Sequence, residues 1–149
     1  MILETTLNGF KFIPHGHIGL DIPLKSGTEI HAPSNAIVQA VIDEGNKSLG
    51  ESLILHCSDG KEIHFGHLSK VMVEQGQTIN SGDTIALSGN SGNSANPHLF
   101  VQIHDGTSFV DPTLYLQAHP VLVMSWIDSV KNVFLEHVNN AIHVISHSI

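Results

Sequence analysis

From Leu3 to roughly residue 118 the chain never keeps one character for long. Short β-branched or apolar runs are each closed by Gly, Asn, Asp or Pro. Ala36–Glu44 is such a run and ends at Gly45. Glu51–Cys57 and Lys61–His67 flank Ser58-Asp59-Gly60, a hairpin signal, because Asp-Gly tolerates the positive φ angles of a tight turn. Thr84–Ser88 and His98–His104 read as further strands, the second closed by Asp105-Gly106. Many short strands at this spacing predict a mainly β domain, an antiparallel sandwich or partly closed barrel.

After His119-Pro120 the period changes. Val123, Ile127, Val130, Phe134, Val138, Ile142 and Ile145 recur at three- and four-residue steps, with polar residues between. That pattern predicts a long C-terminal α-helix with an apolar stripe to bury. The expected division is a β-domain over 1–118 and an amphipathic helix over 119–149. The stripe could pack on its own domain, on a second copy or on a protein partner.

At 149 residues the chain suits one domain with its own core. Six Lys plus Arg against fourteen Asp plus Glu, with no basic cluster, argue against a nucleic-acid partner. The polar face of the expected helix is too poor in Lys and Arg for membrane-surface binding. No apolar stretch is long enough to span a bilayer. Cys57 is the only cysteine, so no intrachain disulfide forms, and its place in an alternating run suits a buried small side chain. The first residues lack a basic, then apolar, secretory pattern, so synthesis in the cytoplasm without ordinary export is expected.

Twelve histidines stand out, and position must sort them. His17 and Asp21, four apart, share one face of a strand, and both are sound zinc ligands. At full extension they would lie about 13 Å apart, so Gly19 would have to help bend the backbone if both touch one ion. His67 ends the second hairpin strand. His98 follows a Gly-, Asn- and Ser-rich stretch that has no Gly-Lys-Ser/Thr ending, so it is no phosphate loop. That stretch reads as a tight loop presenting His98 at a strand start. Each site taken singly could be an ordinary hydrogen-bonded histidine.

In combination the segments are specific. His17-x-Gly-x-Asp21, Gly27-Thr-x-Ile-x-Ala-Pro33, Phe65-x-His67-Leu-Ser, the double Gly repeat at Gly76 and Gly82, and Ser88-Gly-Asn-Ser-Gly…Pro97-His98-Leu resemble the lysostaphin-type zinc endopeptidases in order and spacing. Asp111–Leu116 is similar to that family's usual domain ending. The resemblance covers roughly residues 15 to 116. It implies a lysostaphin-like fold, with His17 and Asp21 as zinc ligands and His67 and His98 as the acid–base or oxyanion-stabilising pair. The implied substrate is the peptide bridge of peptidoglycan, and the implied cofactor is zinc, which would polarise an amide carbonyl and activate water.

One position departs from the pattern. Pro97-His98-Leu99-Phe100-Val101-Gln102-Ile103 stands where the family has Pro-His-Leu-His-Phe-Glu-Ile. Phe100 has no lone pair, so a ligand is missing and zinc binding is expected to be weak or absent. Gln102 replaces an acid, and Tyr115, the only tyrosine, is far from the first motif. His15, two before His17, is the best substitute donor; His104, about 13 Å beyond Phe100 by strand rise, is a poor one. His31, His56 and His64 have no motif support. Biotinyl and lipoyl carriers share the double Gly repeat but need an exposed lysine in a set context, which Asp59-Gly60-Lys61 lacks. The expected function is therefore a catalytically impaired cell-wall-binding or assembly module, for instance a phage virion or tail component. The rival is an active zinc endopeptidase with an unusual ligand set.

Overall fold

A computed structural model describes residues 5–7, 10–15 and 19–123, with side chains from Gly19 onward. The described residues form eleven strands and one short helix. In chain order these are β1 (Thr5–Leu7), β2 (Phe10–His15), β3 (Gly19–Pro23), β4 (Glu29–His31), β5 (Ala36–Asp43), β6 (Glu51–Cys57) and β7 (Glu62–Val71). Then follow β8 (Thr78–Ile79), β9 (Thr84–Ser88), β10 (His98–His104), β11 (Phe109–Val110) and α1 (Pro112–Ala118). The main sheet is open and antiparallel, in the order β1-β2-β3-β10-β7-β6-β5-β8. A β4–β9 pair joins it through β7. The mainly antiparallel expectation holds; the sheet is open rather than closed into a barrel.

Alternation along the strands sorts the residues by face. Leu20 and Ile22 on β3 lie opposite Val101 and Leu99 on β10, and Val101 and Ile103 lie opposite Phe65 and Ile63 on β7. All seven are buried and belong to one core. At roughly 25 cal/mol per Å² of apolar area removed from water, this shared face is what holds β3, β10 and β7 in register. The intervening residues necessarily face the other way. They form the row Asp21–Phe100–Gly66, then Gln102–His64–Ile54, then His104–Glu62–His56.

The β6–β7 hairpin turns at Ser58-Asp59-Gly60 as the sequence predicts. Gly60 has φ +88°, and the Asp59 carboxylate accepts from the Lys61 amide at 3.0 Å. Cys57 is buried, and burial pushes its thiol pKa up.

Sequence reasoning did not anticipate α1. Its start is nevertheless written in Asp111-Pro112: the Asp111 side chain caps the Thr113 amide at 2.9 Å, and Pro112 occupies the first turn. A 3-10 turn over Pro120–Leu122 follows, and Leu122 and Val123 are fully buried in the same core. The β-domain's core therefore continues past residue 118. The amphipathic helix expected over 119–149 lies outside the described residues beyond Val123. No helix among the described residues is long and apolar enough to cross a membrane.

Candidate functional site

Three of the four motif residues converge on the face opposite the core; the fourth, His17, lies outside the described residues. Asp21 and Phe100 are direct cross-strand partners, and Gly66 flanks Phe100 on the other side. His98 starts β10 one turn of the pleat away, with its Nε2 3.5 Å from Asp21 Oδ1. The rings of His67 and His98 lie 4.6 Å apart between centroids, and those of His67 and Phe100 lie 6.4 Å apart, edge to face. Gly19 sits in regular pairing with His15 and Gln102, with no register shift at that point of β3.

His67 is brought in by a break in β7. The pairing with β6 shifts between the Phe65–Leu53 and Leu68–Glu51 pairs, and Leu68 also takes Ser88 of β9 as its partner. At this crossover His67 has φ +61°, in the left-handed region that a side chain of this size seldom occupies. Such a conformation persists only where its surroundings fix it. Here the His67 amide donates to Leu49 O at 2.7 Å, and the ring Nδ1 donates to Ser91 O at 2.7 Å.

The loops supplying those carbonyls are stitched together. Gly92 N donates to Gly45 O and Asn93 N to Ser48 O. A Cβ on Gly92 would lie 2.4 Å from Gly50 N, and one on Gly50 would lie 2.3 Å from Gly92 N. Both have positive φ, so only glycine permits this approach. Ser91 completes the clamp: its hydroxyl donates to Leu68 O at 2.5 Å and accepts from the Glu51 amide at 3.0 Å.

His98 is held in the same way. Its Nδ1 lies 2.7 Å from Asn96 O and 3.1 Å from the Ser94 hydroxyl. A carbonyl oxygen can only accept, so Nδ1 carries a proton in both histidines. In their neutral forms both rings offer a bare Nε2, the state a proton acceptor needs. The Ser/Asn-rich loop leads into His98 at the start of β10, as the sequence predicts. Its second job, gripping His67 through Ser91, was not legible, because the partners are over twenty residues apart.

Three other histidines among the described residues make ordinary contacts. His31 is buried with Nδ1 3.1 Å from Gly82 O. His64 Nε2 pairs with Glu62 at 2.7 Å, which holds the Glu62 carboxyl below its usual pKa. His104 packs edge to face on Phe109 at 5.0 Å, at the far end of β10 from Phe100. His15 lies opposite Gly19 on the backbone, and its side chain is outside the description.

An open antiparallel sheet with an Asp–His–His cluster on its polar face defines a metallopeptidase scaffold of the lysostaphin type. The chain belongs to the M23 peptidases: residues 15–112 match the family described as Peptidase family M23. It is 34% identical over 96 residues to an uncharacterised metalloprotease of Haemophilus influenzae, covering 64% of this chain and 20% of that protein. It is 29% identical over 87 residues to the peptidoglycan DD-endopeptidase ShyA of Vibrio cholerae, covering 58% of this chain and 20% of the relative. The chain thus spans only about a fifth of these two relatives. Among solved structures, the catalytic domain of lysostaphin from Staphylococcus simulans superposes with a TM-score of 0.61 at 28% identity, over 76% of this chain and 84% of that one. LytU superposes with a TM-score of 0.63 at 26% identity, over 83% and 92%.

Zinc dependence is general in the family. The residues here do not fit the ligand set that the resemblance implies. Phe100 lies on the strand directly beside Asp21, is 5% exposed, and has a side chain without a lone pair. Among the described residues no group of three or more His, Cys, Asp or Glu is arranged to hold a metal ion.

Proposed function

We infer that this chain is a peptidoglycan-binding M23 domain in which hydrolysis is impaired. The observation that carries the reading is the row Asp21–Phe100–Gly66, in which an apolar ring occupies the place of a donor. The retained parts support a binding role. Both histidines keep their anchored Nδ1 protons, and their rings lie 4.6 Å apart between centroids. The polar sheet face continues from Phe100 through Gln102 and His64 to Glu62 and His104, a floor along which an extended peptide can lie. Relatives such as ShyA are peptidoglycan endopeptidases, which supports a wall peptide as the ligand.

Hydrolysis of an amide needs an activated water and a stabilised oxyanion together. His67 and His98 can hold or move a proton at Nε2. A bare imidazole is nevertheless a weak substitute for a metal in polarising a carbonyl. Binding would survive this loss and turnover would not.

The test is co-sedimentation of the full chain with purified peptidoglycan, with release of soluble peptides followed in parallel. The expected result is sedimentation without release. Release that a chelator abolishes would favour the second reading, an active zinc endopeptidase with an altered ligand set.

A further inference from the structure

At the β5–β8 edge of the sheet, away from the Asp21–His67–His98 pocket, lies a crevice of about 360 Å³. Its centre is a cross-strand row in which Ile37 of β5 pairs with His56 of β6 on one side and Thr78 of β8 on the other. Asn35, Ser58 and Asn80 line it from the adjoining turns. A single exposed isoleucine is ordinary on a protein surface. Ile37, 51% exposed, is ringed by polar groups of one kind.

That kind is neutral. Among the described residues no Lys, Arg, Asp or Glu lines the crevice. An ion of either sign would enter it without a counter-charge, so the lining selects against ions. The Asn35 Oδ1 accepts from the Ser81 amide at 2.9 Å, which leaves the Nδ2 protons of that side chain for a ligand. The Asn80 amide and the Ser58 and Thr78 hydroxyls both donate and accept. A wholly apolar guest would strip water from these groups and return no hydrogen bond. What fits is a neutral group with hydroxyl and amide edges and a C–H face to set on Ile37, which describes a sugar ring bearing an acetamido group. The volume lies at the small end of the roughly 300–1,000 Å³ of ligand clefts, enough for one such ring.

The crevice is also continuous with the floor proposed for peptide. The row Ile37–His56–Glu62 leads from it across β6 to β7, two strand spacings or about 10 Å. Glu62 stands four residues from Gly66, about 13 Å by strand rise from the row of Phe100. We propose that the crevice is a second binding site, for one N-acetylated sugar of the glycan strand that carries the wall peptide. This deepens the reading above, on which it rests in taking a wall polymer as the ligand. Sugar and peptide held together tie the polymer at two points, so retention exceeds what either contact gives alone.

The experiment titrates the full 15N-labelled chain with the β-linked tetramer of N-acetylglucosamine, a probe that carries no peptide. Saturable shifts are expected at the Ile37 and Thr78 backbone amides and at the Asn35 and Asn80 side-chain NH2 groups. Ile37→Asp and Asn80→Ala should each weaken binding about fivefold or more, the loss of one good contact. Absence of saturable shifts overturns the proposal, as do shifts confined to the His67–His98 side or an affinity unchanged in both variants. Tetraglycine shifting the same four residues while the sugar does not would assign the crevice to peptide and overturn it too. Should a variant not fold, the wild-type shifts decide alone. Wall co-sedimentation is read separately. Sedimentation without tetramer shifts removes the sugar site and keeps the peptide floor; tetramer shifts without sedimentation support the sugar site and remove the floor.

Discussion

The two halves of the pocket are built to different standards. On the His67 side, two loops interlock through Gly50 and Gly92, and Ser91 ties them to β6 and β7, so a backbone in the left-handed region is held against its preference. On the Asp21 side, position comes from ordinary sheet register, and the residue facing Asp21 is an apolar ring. The first half depends on backbone that tolerates no added atom. The second depends on side chains that can be exchanged without moving the strands. Exchange of a side chain is therefore easiest at a strand position such as Phe100, whose neighbours are fixed by the opposite face.

Perturbing each half should expose that contrast, beginning with the largest effect. Gly92→Ala would place a Cβ 2.4 Å from Gly50 N at a residue with φ +77°. It should destabilise the fold by about 3 kcal/mol or more and lower Tm, as thermal denaturation followed by circular dichroism would show. Phe100→His should cost less, about 2 kcal/mol, because a polar imidazole replaces a buried apolar ring. It should also raise zinc affinity at least tenfold in calorimetric titration; an unchanged affinity would mean that the Asp21 side is not preorganised for a third donor.

Ser91→Ala removes one hydroxyl that bonds Leu68 O and the Glu51 amide. A loss of about 1–2 kcal/mol in urea denaturation is expected, with Ser91→Thr recovering part of it. The smallest effect lies farther along the same face. The hydrogen bond from His64 holds the Glu62 carboxyl below its usual pKa, against a smaller opposing effect of burial. A depressed folded value means that this contribution is present above the unfolded carboxylate pKa and fades as pH falls through the folded one. Glu62→Gln should therefore remove about 0.5 kcal/mol or less at neutral pH, and nothing in strong acid. A pH series of urea midpoints would show the two proteins converging as the solution is acidified.

Much of the site was readable because its chemistry sits in short local motifs. Asp21, His67 and His98 each stand in a recognisable phrase, and the missing donor at Phe100 was visible against it. The hairpin at Asp59-Gly60 was equally local. By contrast, α1 escaped notice although Asp111-Pro112 announces it, because a seven-residue helix is too short to show a period. The extension of the core to Leu122 and Val123 was hidden for a related reason, since burial of those two residues depends on which strands they meet.

By itself, then, the sequence determined the strand content, the turn positions, the family and the identity of the groups available for chemistry, all of which depend on neighbours a few residues apart. Only the tertiary structure decided that Ser91 and Leu49 hold His67, that Phe100 lies beside Asp21, and that His98 Nε2 comes within 3.5 Å of the Asp21 carboxylate. Those facts arise from pairings between residues 18 to 79 positions apart. Such pairings are set by how the apolar face of the sheet closes on the core, not by anything local in the chain.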